Sequence, residues 1–228
     1  MKIYGFQKLT LLDYPDKLAA TVFTGGCNFR CPFCHNSELL DPQEPMDSED
    51  VLRFLRRRSG VLEGVCVTGG EPTLQPDLAD FLRELQEIGY DVKLDTNGYR
   101  PEVLRDLCRR GLVNYVAMDI KSSRKGYGEA AGLPALALPR IEESVSFLKE
   151  GTVPYEFRTT VVPELHSEED FLEIGNWLAG PSAYYLQAYR DSEQVLERRF
   201  SQPSRELMER LRELLLPSVP GTCLRGID

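Results

Sequence analysis

The regular alternation of strand-like and helix-like segments is the feature that most constrains the fold of this chain. Short apolar runs rich in β-forming residues recur along it, and amphipathic segments of helical period separate them. Such alternation is typical of βαβ units, which build a parallel sheet. The predicted strands are Ala19–Thr24, Gly64–Thr68, Asp91–Asp95, Val113–Asp119, Tyr155–Val162 and Ala183–Ala188, and the predicted helices are Ser48–Arg58, Asp77–Ile88, Glu102–Arg110, Ile141–Lys149, Glu168–Leu178 and Ser204–Leu216.

Six βα units fit two architectures. Near-continuous apolar runs such as "LVNYVAMDI" indicate a sheet that is covered on both faces. Periodicity alone leaves open an incomplete barrel and a doubly wound sheet. The length of 228 residues favours a single domain, 1–228. Residues Gly126–Pro139 are predicted to be a mobile loop, and the tail from Pro217 is predicted to be a turn followed by a short strand or an extended cap.

Charge and hydropathy narrow the classes of partner. The net charge is −9 and the pI is near 4.9, and basic residues fall in short clusters such as Arg56–Arg58 within helical segments. A nucleic-acid partner is therefore not expected. No apolar run of about 18 residues occurs, and the start "MKIYGFQKLTLLDYPDK" has no apolar region of the signal-peptide kind. We expect a cytoplasmic protein without a membrane partner.

Polar residues cluster where the predicted strands end. Because the carboxyl ends of parallel strands meet at one edge, ligands of such sheets bind there. These residues are the three cysteines Cys27, Cys31 and Cys34, "GGEP" from Gly69, "DTNG" from Asp95, "MDIK" with Asp119 and Lys121, then Arg158 and Gln187.

The cysteines are spaced C-x3-C-x2-C, which suits one soft metal centre. A cubane iron–sulfur cluster normally takes four thiolates, so three leave one iron open. The alternative is a Cys3His zinc site that uses His35. His35 is adjacent to Cys34, however, whereas closed zinc sites take their ligands as spaced pairs.

Several motifs together resemble the radical S-adenosylmethionine superfamily, and within it the activating enzymes of glycyl radical enzymes. They are "GFQKLTLLDYP", "CNFRCPFCHN" with Phe33 before the third cysteine, "VTGGEPTLQPDL", "LDTNGY", "MDIK" and "FRTTVVPE". The named group that these motifs resemble most is the anaerobic ribonucleoside-triphosphate reductase activating protein family, and pyruvate formate-lyase activating enzyme is a near relative. The resemblance covers most of the chain and implies an α/β fold, a partial (β/α)6 TIM-like barrel.

The resemblance also implies the cofactors. A [4Fe-4S] cluster would be held by Cys27, Cys31 and Cys34, and its open iron would be chelated by S-adenosylmethionine. The reduced cluster would cleave the sulfonium to give a 5′-deoxyadenosyl radical, while the protein supplies orientation and excludes side reactions. Contacts to S-adenosylmethionine are expected from Phe33, Gly69, Gly70, Glu71, Asp119, Lys121, Arg158 and Gln187.

Individual roles follow from residue chemistry and from the resemblance. Gly69 and Gly70 would let the backbone approach the cofactor, and Glu71 would attract its ammonium. Asp119 and Lys121 alternate and so point to one side of an extended chain. The alternative is that the charged residues form ion pairs at the rim. Gln187 stands where pyruvate formate-lyase activating enzyme has a histidine that touches the cofactor ribose. The residue that would make this contact here is therefore left open.

The segment "DTNG" is similar to one that helps to bind a monovalent cation in pyruvate formate-lyase activating enzyme. Asp95 and the carbonyl or hydroxyl of Thr96 offer hard oxygen ligands for such an ion. An ordinary turn at Asn97-Gly98 is the alternative.

The remaining cysteines and histidines are assigned structural places. His35 and Asn36 are expected to shape the cluster loop, and His166 is expected at the surface. Cys66, Cys108 and Cys223 are interpreted as small buried hydrophobes.

The resemblance therefore implies an oxidoreductase that abstracts hydrogen from a glycine of a partner glycyl radical enzyme. The partner would be an anaerobic ribonucleoside-triphosphate reductase, and a flavodoxin or ferredoxin would supply the electron. Two rivals stay open, namely a radical S-adenosylmethionine enzyme acting on a small molecule and a non-enzymatic zinc or electron-transfer module.

Overall fold

One eight-stranded sheet organises the fold. The computed structural model describes residues 1–42, 44–180 and 182–227. Neighbouring strands from β2 to β8 pair in parallel, whereas β1 is antiparallel to β2. The strands, in chain order and also in sheet order, are β1 (Ile3–Thr10), β2 (Ala19–Thr24), β3 (Gly64–Gly69), β4 (Asp91–Thr96), β5 (Tyr115–Asp119), β6 (Tyr155–Val161), β7 (Ala183–Ala188) and β8 (Thr222–Arg225).

Helices connect the parallel strands. A helix crosses between each pair of successive strands from β2 to β8, and one short extra helix, α4, lies between β5 and β6. The strictly sequential order differs from a doubly wound sheet, in which the order reverses. The helices are α1 (Ser48–Arg58), α2 (Leu78–Ile88), α3 (Pro101–Arg109), α4 (Tyr127–Ala130), α5 (Leu138–Lys149), α6 (Glu168–Leu178) and α7 (Arg205–Leu215). Six βα units thus form the expected partial (β/α)6 barrel.

Local sequence signals explain where the helices begin and end. The Asp47 side chain caps α1 by accepting from the Glu49 N–H, and Ser167 forms a capping box with Asp170 at the start of α6. Helix α2 ends at Gly89, whose φ of 105° lies in the left-handed region that glycine tolerates. Predicted and observed bounds differ most at α5, which starts at Leu138 because Pro139 is tolerated in a first helical turn.

Two elements differ from the sequence-based expectation. Strand β1 was not predicted, because most of its residues are half-buried or exposed and give no continuous apolar run. The segment Gly126–Pro139, predicted as a mobile loop, instead contains α4, whose Tyr127 and Ala130 are buried. The predicted short final strand is β8.

The core lies between the sheet and the helices. Alternate strand residues such as Val67, Leu94 and Val116 are fully buried, and they belong to one continuous hydrophobic cluster with helix residues such as Leu82 and Leu104. Among the described residues, no helix has the length and apolar character needed to cross a membrane.

Candidate active site

A cavity of about 250 Å³ opens where the parallel strands end, the position expected for the ligand site of such a sheet. The cysteine loop after β2 forms one wall, and the ends of β3 to β7 form the rest. The residues that the sequence assigned to the cluster, the cofactor and the cation all line it: Cys27, Cys31, Cys34, Phe33, Gly69, Gly70, Glu71, Asp119, Lys121, Arg158, Gln187, Asp95 and Thr96.

The three cavity cysteines are free thiols. Burial raises the pKa of Cys27 to about 11 and that of Cys31 to about 12, so each would lose its proton on binding a metal. In the described ranges, no three His, Cys, Asp or Glu side chains converge as the ligands of a single metal ion do. A cubane cluster puts each thiolate on a different iron, so its cysteines need no such convergence.

A pair of asparagines beside Cys27 was not singled out by the sequence. The Asn97 Nδ2 donates to Asn28 Oδ1 at 2.9 Å and lies 3.9 Å from Cys27 Sγ. The Asn28 Nδ2 is buried and has no protein partner among the described residues. Three thiols with an orphaned buried donor fit a sulfur-rich group, because cluster sulfurs accept hydrogen bonds. Only the "N" of "DTNG" could have pointed to Asn97.

Two distant segments hold the cysteine loop. The Arg30 N–H donates to Ala131 O at 2.9 Å, and a Cβ on Gly132 would lie 2.0 Å from Arg30 O. On the other side, the Glu197 N–H donates to Pro32 O at 2.8 Å and the Leu196 N–H donates to Cys34 O at 3.2 Å. The segment after α4 and the loop after β7 therefore buttress the loop, and periodicity could not reveal these long-range contacts.

The two glycines of "GGEP" are required by contact between backbone segments. A Cβ on Gly70 would lie 2.1 Å from Gly26 O, and one on Gly69, whose φ is 118°, would lie 2.3 Å from Thr24 O. These distances are far below van der Waals contact. The glycines thus allow the end of β3 to meet the start of the cysteine loop. Their approach to a cofactor stays a prediction.

Glu71 ties two motifs together. Its Oε1 accepts from the Thr73 N–H at 3.0 Å and from the Thr96 hydroxyl at 2.8 Å, and its Oε2 accepts from the Asn97 N–H at 2.7 Å. The side chain is 1% exposed, and burial raises the pKa of Glu71 although these donors act to lower it. The carboxylate that the sequence assigned to a cofactor ammonium is thus already held by protein donors.

A chain of alternating charges crosses the cavity floor. Lys121 Nζ lies 3.0 Å from Asp119 Oδ2, and Arg158 bridges Asp119 Oδ1 at 2.9 Å and Asp95 Oδ2 at 3.1 Å. Lys93, which the sequence analysis missed, contacts Asp95 Oδ1. Burial alone would raise the pKa of Asp119, but the Arg158 and Lys121 charges outweigh it and lower that pKa to about 2. In the structure these charged residues therefore form ion pairs with one another, as the alternative to cofactor contacts had it.

His166 is buried, at 8% exposure, so its predicted surface position is wrong. The Val162 N–H donates to Nδ1 at 3.0 Å, which leaves the ring proton on Nε2 to donate to Lys121 O at 2.8 Å. The ring also makes an edge contact with Phe33, at 6.4 Å between centroids. Burial lowers the pKa of His166, so the neutral ring fixes the backbone of Lys121.

The other histidine and cysteines take varied places. His35 lines the cavity and stacks at a tilt on Tyr189, at 5.5 Å between ring centroids. Cys66 and Cys108 are buried as expected, but Cys223 is exposed on the edge strand β8, so its predicted burial is wrong.

Comparisons with known proteins agree with this geometry. Residues 21–178 match the Radical SAM superfamily. A protein of Methanocaldococcus jannaschii, provisionally named a glycyl-radical enzyme activating enzyme, is 32% identical over 236 residues, covering 99% of this chain and 96% of that protein. The 7-carboxy-7-deazaguanine synthase of Thermococcus kodakarensis is 31% identical over 148 residues, covering 55% of this chain and 56% of that enzyme.

Solved structures share the fold. The crystal structure of Streptococcus suis SuiB bound to S-adenosylmethionine matches with a TM-score of 0.69 at 16% identity, covering 89% of this chain and 49% of SuiB. This chain therefore spans about half the length of SuiB. The family match covers more than half of the chain, and the Methanocaldococcus relative aligns with nearly all of it. The chain belongs to the Radical SAM superfamily, whose cofactors are a [4Fe-4S] cluster and S-adenosylmethionine.

Proposed function

We propose that this enzyme is an oxidoreductase that activates a partner glycyl radical enzyme by abstracting hydrogen from a glycine of that partner. The partner class is an anaerobic ribonucleoside-triphosphate reductase. A flavodoxin or ferredoxin would serve as the one-electron reductant. In this proposal residues 1–228 act as one domain, and the cytoplasmic location stays a prediction.

The observation that carries the proposal is how much of this chain aligns with the Methanocaldococcus relative. The Methanocaldococcus relative aligns with 99% of this chain, whereas the deazaguanine synthase aligns with 55%. An activity that depends on the whole fold is better inferred from the first. The open edges of the sheet, at β1 and β8, also suit a macromolecular substrate, because a loop of another protein needs a lateral approach to the cavity.

The cavity residues can be given roles in this reaction. Cys27, Cys31 and Cys34 would hold the cluster, which would supply one electron for the reductive cleavage of S-adenosylmethionine. Lys121 is positioned by its contacts to Asp119 and, through its carbonyl, to His166.

Other residues would contact the cofactor directly. Because the pKa of Asp119 is about 2, this carboxylate stays charged at neutral pH beside a cationic ligand. Phe33 and Gln187 line the same cavity and would contact the cofactor there.

The direct test is to incubate the reduced, cluster-loaded protein with S-adenosylmethionine and candidate glycyl radical enzymes. Electron paramagnetic resonance should then detect a glycyl radical in one of them. Cys31→Ala should abolish the signal, and the matched control Cys223→Ala should keep it, because Cys223 is an exposed thiol outside the cavity.

The same preparation separates the small-molecule rival. The proposal would be overturned if the protein cleaved S-adenosylmethionine without forming a glycyl radical in any candidate enzyme, and instead converted a deazaguanine precursor.

A further inference from the structure

The cation predicted at "DTNG" would take Asp95 and the carbonyl or hydroxyl of Thr96 as ligands, and both side chains have other partners in the structure. Asp95 Oδ1 contacts Lys93 Nζ, and Asp95 Oδ2 lies 3.1 Å from Arg158 Nη1. The Thr96 hydroxyl donates to Glu71 at 2.8 Å and accepts from the Gly98 N–H at 3.1 Å. The side-chain oxygens that would bind an added ion are therefore engaged.

Lys93 is the unusual member of this group. It is a lysine with 1% exposure in the middle of β4, and Lys93 pairs in register with Cys66 on β3 and with Tyr115 on β5. Its Nζ lies 3.8 Å from Cys66 Sγ and otherwise contacts Asp95. A buried ammonium is costly unless it is paired, so its place beneath Asp95 calls for a reason.

The pairing of the individual carboxylate oxygens on the floor supplies that reason. Asp95 and Asp119 both approach the cavity, and Arg158 is shared between them. Asp119 has Lys121 as its second cation, and Asp95 has Lys93. Because Arg158 serves both carboxylates, the group holds three cations for two carboxylates. Lys93 is the cation on Asp95 Oδ1, and it approaches that oxygen from below the cavity instead of from solvent.

We propose that the Lys93 ammonium serves as a built-in monovalent cation, which occupies Asp95 Oδ1 in place of an added ion and makes S-adenosylmethionine binding independent of added sodium or potassium. Lys93 is a positioning residue, since it does not line the cavity and acts through Asp95. The proposal rests on S-adenosylmethionine occupying this cavity and does not depend on the identity of the partner enzyme.

The test compares affinities in two salts of equal ionic strength, potassium chloride and tetramethylammonium chloride. S-adenosylmethionine binding to the cluster-loaded protein is measured by calorimetry. Because screening is matched, wild-type affinity should change less than about twofold between the salts. Lys93→Met should bind about fivefold or more weakly in tetramethylammonium and regain affinity in potassium, as expected for two coupled ligand sites. The exposed-lysine control Lys125→Met should behave as wild type.

A second readout avoids both cofactors. Potassium should raise the thermal unfolding temperature of cluster-free Lys93→Met in a saturable way and leave that of the wild type unchanged. If Lys93→Met fails to fold, the wild-type affinities in the two salts still test the proposal.

Distinct results would overturn the proposal. A rise of wild-type affinity by about fivefold or more in potassium would reveal a separate cation site. Equal behaviour of Lys93→Met and wild type in both salts would remove any role for Lys93. Failure of the cluster-loaded wild type to bind S-adenosylmethionine in either salt would overturn the cofactor site itself, and this proposal with it. Glycyl radical formation plays no part in these measurements.

Discussion

Glu71 illustrates how a single buried carboxylate can organise a site. It accepts hydrogen bonds from Thr73, which directly follows "GGEP", and from Thr96 and Asn97 of "DTNG". Asn97 in turn reaches toward Cys27. One residue thereby links the ends of β3 and β4 to the cysteine loop, so its main effect is expected in stability and site geometry.

Glu71→Gln should lower the free energy of unfolding. The glutamine NH2 group would replace one carboxylate oxygen and would face a protein N–H or hydroxyl, so two donors would meet. An unsatisfied buried polar group costs about 1–3 kcal/mol. Urea unfolding of the cluster-free protein measures this. The control Glu87→Gln lies on an exposed part of α2 and should change the free energy by less than about 0.5 kcal/mol. Equal effects of the two substitutions would contradict the linking role of Glu71.

At the scale of elements, the site depends on strand ends that approach one another closely. The Gly70 N–H donates to Thr24 O at 2.9 Å, and the Glu71 N–H donates to Gly26 O at 2.8 Å. The turn after β3 is thus joined to the turn after β2 by backbone hydrogen bonds. Because the obstructing atoms are backbone atoms, a side chain at Gly70 could be accommodated only by moving one of these segments.

Gly70→Ala should therefore separate the cysteine loop from β3 and lower the iron content after cluster reconstitution. Gly60→Ala is the control, because its Cβ would meet no atom within 4 Å and its cost is the strain of a left-handed residue, about 1–2 kcal/mol. We expect Gly70→Ala to lose more stability than Gly60→Ala and to load less iron. Normal iron loading by Gly70→Ala would show that the close approach is not needed.

At the scale of the whole molecule, the charge network joins β4, β5 and β6 across the inside of the partial barrel. Asp119 pairs in register with Arg158, and Arg158 reaches Asp95 one strand further. Ionic contacts hold the inside of the barrel here, whereas apolar packing against the helices holds the outer face of the sheet. The contribution of the ionic contacts should therefore depend on pH.

Asp119→Asn should show this dependence. The pKa of Asp119 is lowered from 3.8 to about 2, so its stabilising effect is fully present above about pH 4 and is lost as the pH falls toward 2. The variant should be less stable than wild type by about 1–3 kcal/mol at pH 6, and the difference should shrink toward zero by pH 2. Urea unfolding at a series of pH values measures it, with the exposed Asp50→Asn as control. A difference that stays constant down to pH 2 would contradict the network.

Sequence patterns were sufficient for the parallel strands, the crossing helices and the rim residues. Strand periodicity located β2 to β7, and the position of polar residues after those strands brought Cys27 and Glu71 to the same cavity as Arg158 of β6. These inferences succeed because the strand period and the parallel topology are local properties that together dictate which ends meet.

The missed features depend on contacts that the local sequence pattern does not report. A lysine in a strand is usually exposed. Lys93 is buried inside the barrel because it pairs with Asp95 there. His166 was placed at the surface because no local pattern reports its hydrogen bond to Lys121 O. Strand β1 escaped because an antiparallel edge strand carries no continuous apolar run. Of these features, only the contact between His166 and Lys121 O joins residues far apart in the chain.

The central claim is that hydrogen leaves a glycine of a partner protein, and isotope transfer tests it most directly. A glycyl radical enzyme labelled with dideuterated glycine is incubated with the reduced, cluster-loaded protein and S-adenosylmethionine, and the mass of the 5′-deoxyadenosine is measured. The account predicts 5′-deoxyadenosine that carries one deuterium, formed together with the glycyl radical. Unlabelled 5′-deoxyadenosine accompanied by a glycyl radical would show that the hydrogen comes from elsewhere and would contradict the account.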